Sequence, residues 1–316
     1  MRYIDFHCDM LYRIYYKAGT TPQETIWHNN GHVDLSRLTD AGYLAQFFAC
    51  FLDQSKQPKT GTHYGDVLEM IGLFKKGLPQ SPGARLCTSA ADYIKNKKEN
   101  TLSCFLTVEE GGILENDLSR LDTLYKEGIR LITLTWNYEN CLGFPHNMSQ
   151  LPNTGLKPFG HEVIREMQRL GILIDVSHLS DAGFEDVYRS TTIPFVASHS
   201  CCRSLCAHSR NLTDDMIRKI GDRQGIVGIN FYGPFLSPDG RSTTEAITTH
   251  LRHLINTGGL DIAALGSDFD GIEGPLEIPG CHQINNLIPT LEKAHFTPLE
   301  IDAICHRNME RILTQL

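Results

Sequence analysis

The sequence predicts a (β/α)₈ barrel of TIM type built as a single domain over residues 1–316, and three observations carry that prediction. Eight short apolar runs read as strands, at 3–6, 43–52, 102–108, 129–135, 172–176, 194–198, 225–231 and 261–266, most of them separated by helical patterns. Two of them, Ile172-Leu173-Ile174-Asp175-Val176-Ser177-His178 and Pro194-Phe195-Val196-Ala197-Ser198-His199, run straight into a metal-capable side chain. In a parallel barrel such strand ends gather at one mouth. The length of 316 residues, with no linker, low-complexity tract or short repeat, suits one barrel.

In chain order, Tyr3-Ile4-Asp5-Phe6 is a first strand running into His7-Cys8-Asp9. On a strand His7 and Asp9 share a face and Cys8 points away. Val33–Leu38 begins a short helix closed by Ala41-Gly42, and 43–52 is the second strand. Residues 66–76 are helical, with Val67, Met70, Ile71 and Phe74 at helix spacing and Gly77 as C-cap. Ser89 caps the next helix. Strand 102–108 ends in Glu109-Glu110-Gly111-Gly112, where the glycines allow a sharp turn. Helix 118–127 stops at Gly128, strand 129–135 ends in Trp136-Asn137, and 141–159 is a loop long enough to serve an active site. Helix 161–170 stops at Gly171. Ser180-Asp181 and Thr213-Asp214-Asp215 open the helices that follow the two histidine-ended strands. Strand 225–231 ends in Asn230-Phe231-Tyr232, helix 244–256 follows, and strand 261–266 ends in Ser267-Asp268. Thr297-Pro298-Leu299-Glu300 is a capping box that starts the final helix.

Composition narrows the function classes. The chain is 41% hydrophobic and 21% charged, with a net charge of −8 and no long basic run, which argues against nucleic acid or an anionic membrane as partner. Ten cysteines are spread along the chain, several in apolar runs, and read as reduced core thiols. The N-terminus shows no apolar signal region and no run is long enough to span a membrane, so a cytoplasmic location is expected.

The residues gathered at the mouth are then His7, Asp9, Glu110, His178 and His199. Imidazole and carboxylate ligands suit zinc or a similar transition ion. Five exceed what one catalytic zinc takes, but they suffice for two ions about 3.5–4 Å apart when one carboxylate bridges. A lone histidine is more often a satisfied core or surface residue. Five candidates at one barrel end are harder to explain that way.

The segments Asp5-Phe6-His7-Cys8-Asp9, Val108-Glu109-Glu110-Gly111-Gly112, Leu131–Asn137, Asp175-Val176-Ser177-His178, Ser198-His199-Ser200, Ser209–Asp215, Gly228–Tyr232 and Gly266–Gly271 together resemble the membrane dipeptidase (renal dipeptidase) family of zinc peptidases, a branch of the metal-dependent amidohydrolase barrels. The resemblance runs from residue 5 to 271 in family order. It implies that His7 and Asp9 hold one Zn²⁺, that His178 and His199 hold the other, and that a water or hydroxide and Glu110 bridge them. Glu110 is chosen over Glu109 because the family carboxylate precedes a Gly-Gly pair. By the same resemblance Arg210 binds the terminal carboxylate of a dipeptide, a reason to reject longer chains. Asp268 shuttles a proton beside the bridging water, and Tyr232 lines the pocket. The expected activity is dipeptide hydrolysis, with a D-residue tolerated at the second position and β-lactam opening as a side reaction; family dimers suggest a homodimer.

One position departs from the pattern. Many family members carry a histidine where this chain has Trp136, whose indole N–H donates a hydrogen bond but does not titrate. Trp136 therefore reads as pocket wall, and either the metals polarise the scissile carbonyl alone or another group does it, with His146 in the following loop the candidate. The competing readings are another amidohydrolase activity, such as deamination or lactone hydrolysis, and a metal-free ligand-binding barrel. The first typically shows His-x-His on the first strand, where this chain has His7-Cys8-Asp9.

Overall fold

A computed structural model describes residues 1–17, 24–148, 151 and 154–314. Among the described residues there are nine strands: β1 (Tyr3–Asp5), β2 (Tyr43–Phe51), β3 (Ala84–Leu86), β4 (Leu102–Glu109), β5 (Ile129–Thr133), β6 (Leu173–Asp175), β7 (Val196–Ser200), β8 (Ile226–Ile229) and β9 (Ala263–Leu265). All neighbours run parallel. β2 pairs with β4, and β1 pairs with both β2 and β9, which closes a barrel of eight strands. β3 stands outside that circuit, on the start of β4. It is the strand missed in the sequence, because three residues carry no periodicity to read.

The eight barrel strands are buried along their whole length, all nine residues of β2 included, because side chains on one face fill the lumen while those on the other meet the helices. Ile4, Phe6, Phe47, Phe105, Leu131, Leu173, Val196, Ile226 and Ala264 form one cluster to which every barrel strand contributes, at its end in the case of Phe6. Only the lumen brings all eight strands together, so this cluster is its packing. Phe47 stacks on Phe105 and meets Phe6 edge-on, each pair with centroids 4.7 Å apart. Met309, Ile312 and Leu313 of the last helix and Tyr93 join the same cluster and plug the far end.

The caps follow the expected residues. Ser89, Ser180 and Thr213 each accept the N–H of the third residue on, and Thr297 and Glu300 form the reciprocal capping box. Several boundaries differ, the helix expected from residue 66 beginning at His63 among them. The helix expected from residue 161 begins at Pro158, since proline suits a first helical position. Gly77 does not cap its helix: its backbone stays right-handed and passes into a 3₁₀ turn at Leu78–Gln80. Among the described residues no helix is long and apolar enough to cross a membrane.

Candidate metal centre

The mouth is built by stitching neighbouring strand ends together. Asp175, at the end of β6, accepts the N–H groups of Ser177 and Ser198 at 3.0 and 2.8 Å through Oδ1. Its Oδ2 accepts the hydroxyls of Thr133 and Ser198. Asp5, at the end of β1, repeats the pattern: Oδ1 accepts the N–H groups of His7 and Ser267, and Oδ2 the Ser267 hydroxyl. The residues after those serines are His199 and Asp268, so each buried carboxylate fixes a backbone that presents a site side chain. β7 is irregular against β8 between Ala197 and Ser200, which breaks strict alternation and lets Ser198 and His199 both serve the mouth.

Glu109, the last residue of β4, lies between two groups. Its Oε2 is 3.1 Å from His7 Nε2, and its Oε1 is 3.1 Å from His178 Nε2 and 3.4 Å from His199 Nε2. Asp9 Oδ2 and Asp268 Oδ1 lie 3.7 and 3.8 Å from His7 Nε2. His178 Nε2 and His199 Nε2 are 3.1 Å apart. All of these residues are buried.

The donor set fits metal ions. His199 Nδ1 meets Ser198 Oγ at 2.7 Å, and that hydroxyl is already donating to Asp175, so Nδ1 carries the ring proton. His178 Nδ1 faces Asn137 Oδ1 at 3.0 Å, an oxygen that only accepts, so here too the proton is on Nδ1. Both Nε2 lone pairs are therefore bare and aimed at one place. Both ring nitrogens of His7 and Oδ1 of Asp9 are buried with no hydrogen-bond partner among the described residues. Two triads bring ligand atoms within 4.8 Å of one another: His7, Glu109 and His199, and His7, Asp9 and Asp268.

The electrostatics match. Burial opposes charge on His7, but the carboxylates of Glu109 and Asp9 outweigh it and hold the imidazole well above its usual range. Burial and Glu109 push Asp9 up to about 6. Burial, reinforced by Asp9 and Glu109, raises Asp268 well above the ordinary carboxylate range. Burial and the Arg210 charge bring His178 down to about 3. Three crowded carboxylates beside the neutral imidazoles of His178 and His199 are what a bound cation relieves.

Glu110, expected as the bridging carboxylate, is not in this group. Its backbone is left-handed at φ 96°, and its side chain turns away to accept the N–H groups of Gly112 and Trp136 and the Asn140 amide. Burial raises its carboxyl to about 7. The physical reason is strand alternation: from Phe105 in the lumen, Thr107 and Glu109 share a face and Glu110 does not. Gly111 and Gly112 serve close packing rather than unusual dihedrals, since a Cβ on Gly111 would lie 2.6 Å from Leu142 Cδ1 and one on Gly112 2.4 Å from Gln54 Nε2.

Beside these side chains opens a cavity of about 600 Å³ whose lining includes Asp9, Glu109, His178 and Asp268. Trp136 and Tyr232 are on its wall. The Trp136 ring meets Phe51 edge-on at 4.8 Å, and Phe51 leads to Tyr12 at 4.9 Å, a continuous aromatic side. Arg210 is buried behind the wall, donating to Ser200 Oγ at 2.7 Å and the His199 carbonyl at 2.8 Å, with Nε lacking a partner among the described residues. His146 is not a lining residue. Its ring is held by Asn137 and Ser209, and burial together with Arg210 brings it down to about 3, so it stays neutral. Asn137 lines the cavity and was missed, because one asparagine after a strand carries no signal of its own.

Comparison with known proteins bears on the chain as a whole. Residues 1–316 match the family described as membrane dipeptidase (peptidase family M19). The chain is 36% identical over 258 residues to an uncharacterized protein in the pqqA 5′ region of Klebsiella pneumoniae, covering 78% of this chain and 95% of that one. It is 31% identical over 297 residues to an uncharacterized dipeptidase of Schizosaccharomyces pombe, covering 89% and 71%. Its fold superposes with a TM-score of 0.90 and 27% identity on a metallo peptidase from Rhodobacter sphaeroides crystallised with a phosphinate mimic of the dipeptide L-Ala-D-Ala, covering 100% and 99%. The chain belongs to the membrane dipeptidase family of metallopeptidases.

Proposed function

We propose that this chain is a two-zinc dipeptidase, with His7 and Asp9 holding one ion, His178 and His199 the other, and Glu109 bridging them. The observation that carries the reading is the placement of Glu109, one oxygen toward His7 and the other toward the His178–His199 pair. When bound, such a pair supplies hydroxide at neutral pH and polarises a carbonyl oxygen.

The chain's own residues then divide the remaining work. Asp268 receives the Asn230 amide N–H at 2.8 Å on Oδ2, which leaves Oδ1 toward His7. Its raised affinity for a proton suits it to take one from the attacking water and pass it to the departing amine. Arg210 has N–H groups left over after its two internal bonds, and these suit the substrate's terminal carboxylate. Trp136 and Phe51 offer an apolar wall to a substrate side chain. The Rhodobacter relative, crystallised with a mimic of an L-D dipeptide, supports acceptance of a D-residue at the second position. Ten free thiols, nine of them buried, favour a reducing, cytoplasmic compartment.

The test is a panel of L-L and L-D dipeptides and matched tripeptides, assayed with and without chelator. Hydrolysis of dipeptides alone, abolished by chelation and restored by Zn²⁺, is the expected result. Turnover that survives complete metal removal would overturn the reading.

A further inference from the structure

His178 is the one residue of the proposed ligand set with a left-handed backbone, at φ 69°. Non-glycine residues keep that conformation only where their surroundings enforce it. Two contacts beyond the ligand set do so. The backbone N–H of His146 donates to the His178 carbonyl at 2.7 Å, and Asn137 Oδ1 faces His178 Nδ1 at 3.0 Å. The same Asn137 oxygen faces His146 Nε2 at 3.3 Å. Since that oxygen only accepts, His146 carries its proton on Nε2 as well. His146 Nδ1 is then free to accept from Ser209 Oγ at 2.8 Å. The donors thus converge on one oxygen: Ser209 donates to His146, and His146 and His178 both donate to Asn137 Oδ1, which leaves the Nε2 of His178 bare. Ser209 is the neighbour of Arg210, whose guanidinium grips the carbonyl of His199.

We propose that Asn137 and His146 are positioning residues that fix the ring orientation and tautomer of His178 for the second metal ion, with Ser209 anchoring the line to the Arg210 segment. The inference rests on the two-metal reading above. It gives His146 a different task from polarising a carbonyl, and it assigns Asn137 a role that its position after a strand did not suggest.

Metal affinity tests this directly, without turnover. Apoprotein is titrated with Co²⁺, followed by its visible absorption, and the bound ions are then displaced by Zn²⁺. Wild type is expected to take up two equivalents. Asn137→Leu should weaken one equivalent by about 10–100-fold and leave the other within about twofold. Asn137→Asp keeps an acceptor oxygen against Nδ1 and should return the affinity to within a few-fold of wild type. His146→Gln, which keeps an N–H donor, should cost less than His146→Leu. The proposal is overturned if Asn137→Leu binds both equivalents as tightly as wild type, or if the Leu and Asp variants lose affinity equally while remaining folded by circular dichroism. If wild type itself takes up fewer than two equivalents, the two-metal reading fails and this inference falls with it. A wild type that binds two and an Asn137→Leu variant that does the same would remove the inference alone.

Discussion

Glu109 continues the face of β4 that starts at Phe105, and its carboxylate reaches three histidines; Glu110 follows on a left-handed backbone and engages Gly112, Trp136 and Asn140. Matching the pair by its distance from Gly-Gly selects the carboxylate that turns away from the histidines, whereas counting by twos from a lumen phenylalanine selects the one that faces them. The information was in the sequence, but it needed the strand register to be read. Glu109→Gln should lower zinc content and reduce kcat/KM on the order of 1,000-fold, whereas Glu110→Gln should keep both ions and lose less than about tenfold. Metal analysis and steady-state kinetics on the two variants check this, and the reverse order would return the bridging role to Glu110. Arg210→Ala should raise KM for dipeptides by about 100-fold or more, with a smaller change in kcat, if the guanidinium meets the terminal carboxylate. Unchanged KM would remove Arg210 from the substrate's path.

The strand-end carboxylates act on whole elements. Asp175 ties β5, β6 and β7 together through Thr133, Ser177 and Ser198, a role the sequence reading did not assign it. Asp175→Ala leaves four buried donors short of their acceptor and should destabilise the protein by about 3 kcal/mol, measured as a lower urea midpoint. At the opposite end, Glu310 of the last helix joins that helix to the one capped by Ser89. Burial opposes its charge, but His306, Lys97 and Tyr93 outweigh burial and hold it at about 2. A carboxyl depressed in the folded state stabilises above the unfolded range, near 4.5, and that contribution fades as pH falls toward 2. Glu310→Gln should therefore cost about 2 kcal/mol near neutrality and under half of that at about pH 3. Urea midpoints at the two pH values check it, and a constant difference would contradict it.

Across the whole molecule, the eight-strand circuit was legible because each barrel strand is an apolar run bounded by helical periodicity and caps. The side chains at its mouth were legible in outline for a related reason: a polar residue ending such a run has few places to go but the rim. What sequence did not reveal lies off the strands. Asn137 and His146 acquire their neighbours only when the loop after β5 docks on the turn after β6, through Pro145 opposite Leu179 and Ser180 N–H on the Phe144 carbonyl. The Phe6–Phe47–Phe105 stack beneath the metal centre has a kinetic consequence. With the lumen packed below, the mouth serves as the route both for departing product amino acids and for the arriving substrate. The product that leaves last should then hold the empty site against the next dipeptide, raising the apparent KM while leaving kcat alone; if neither product raises the apparent KM, the shared route is wrong.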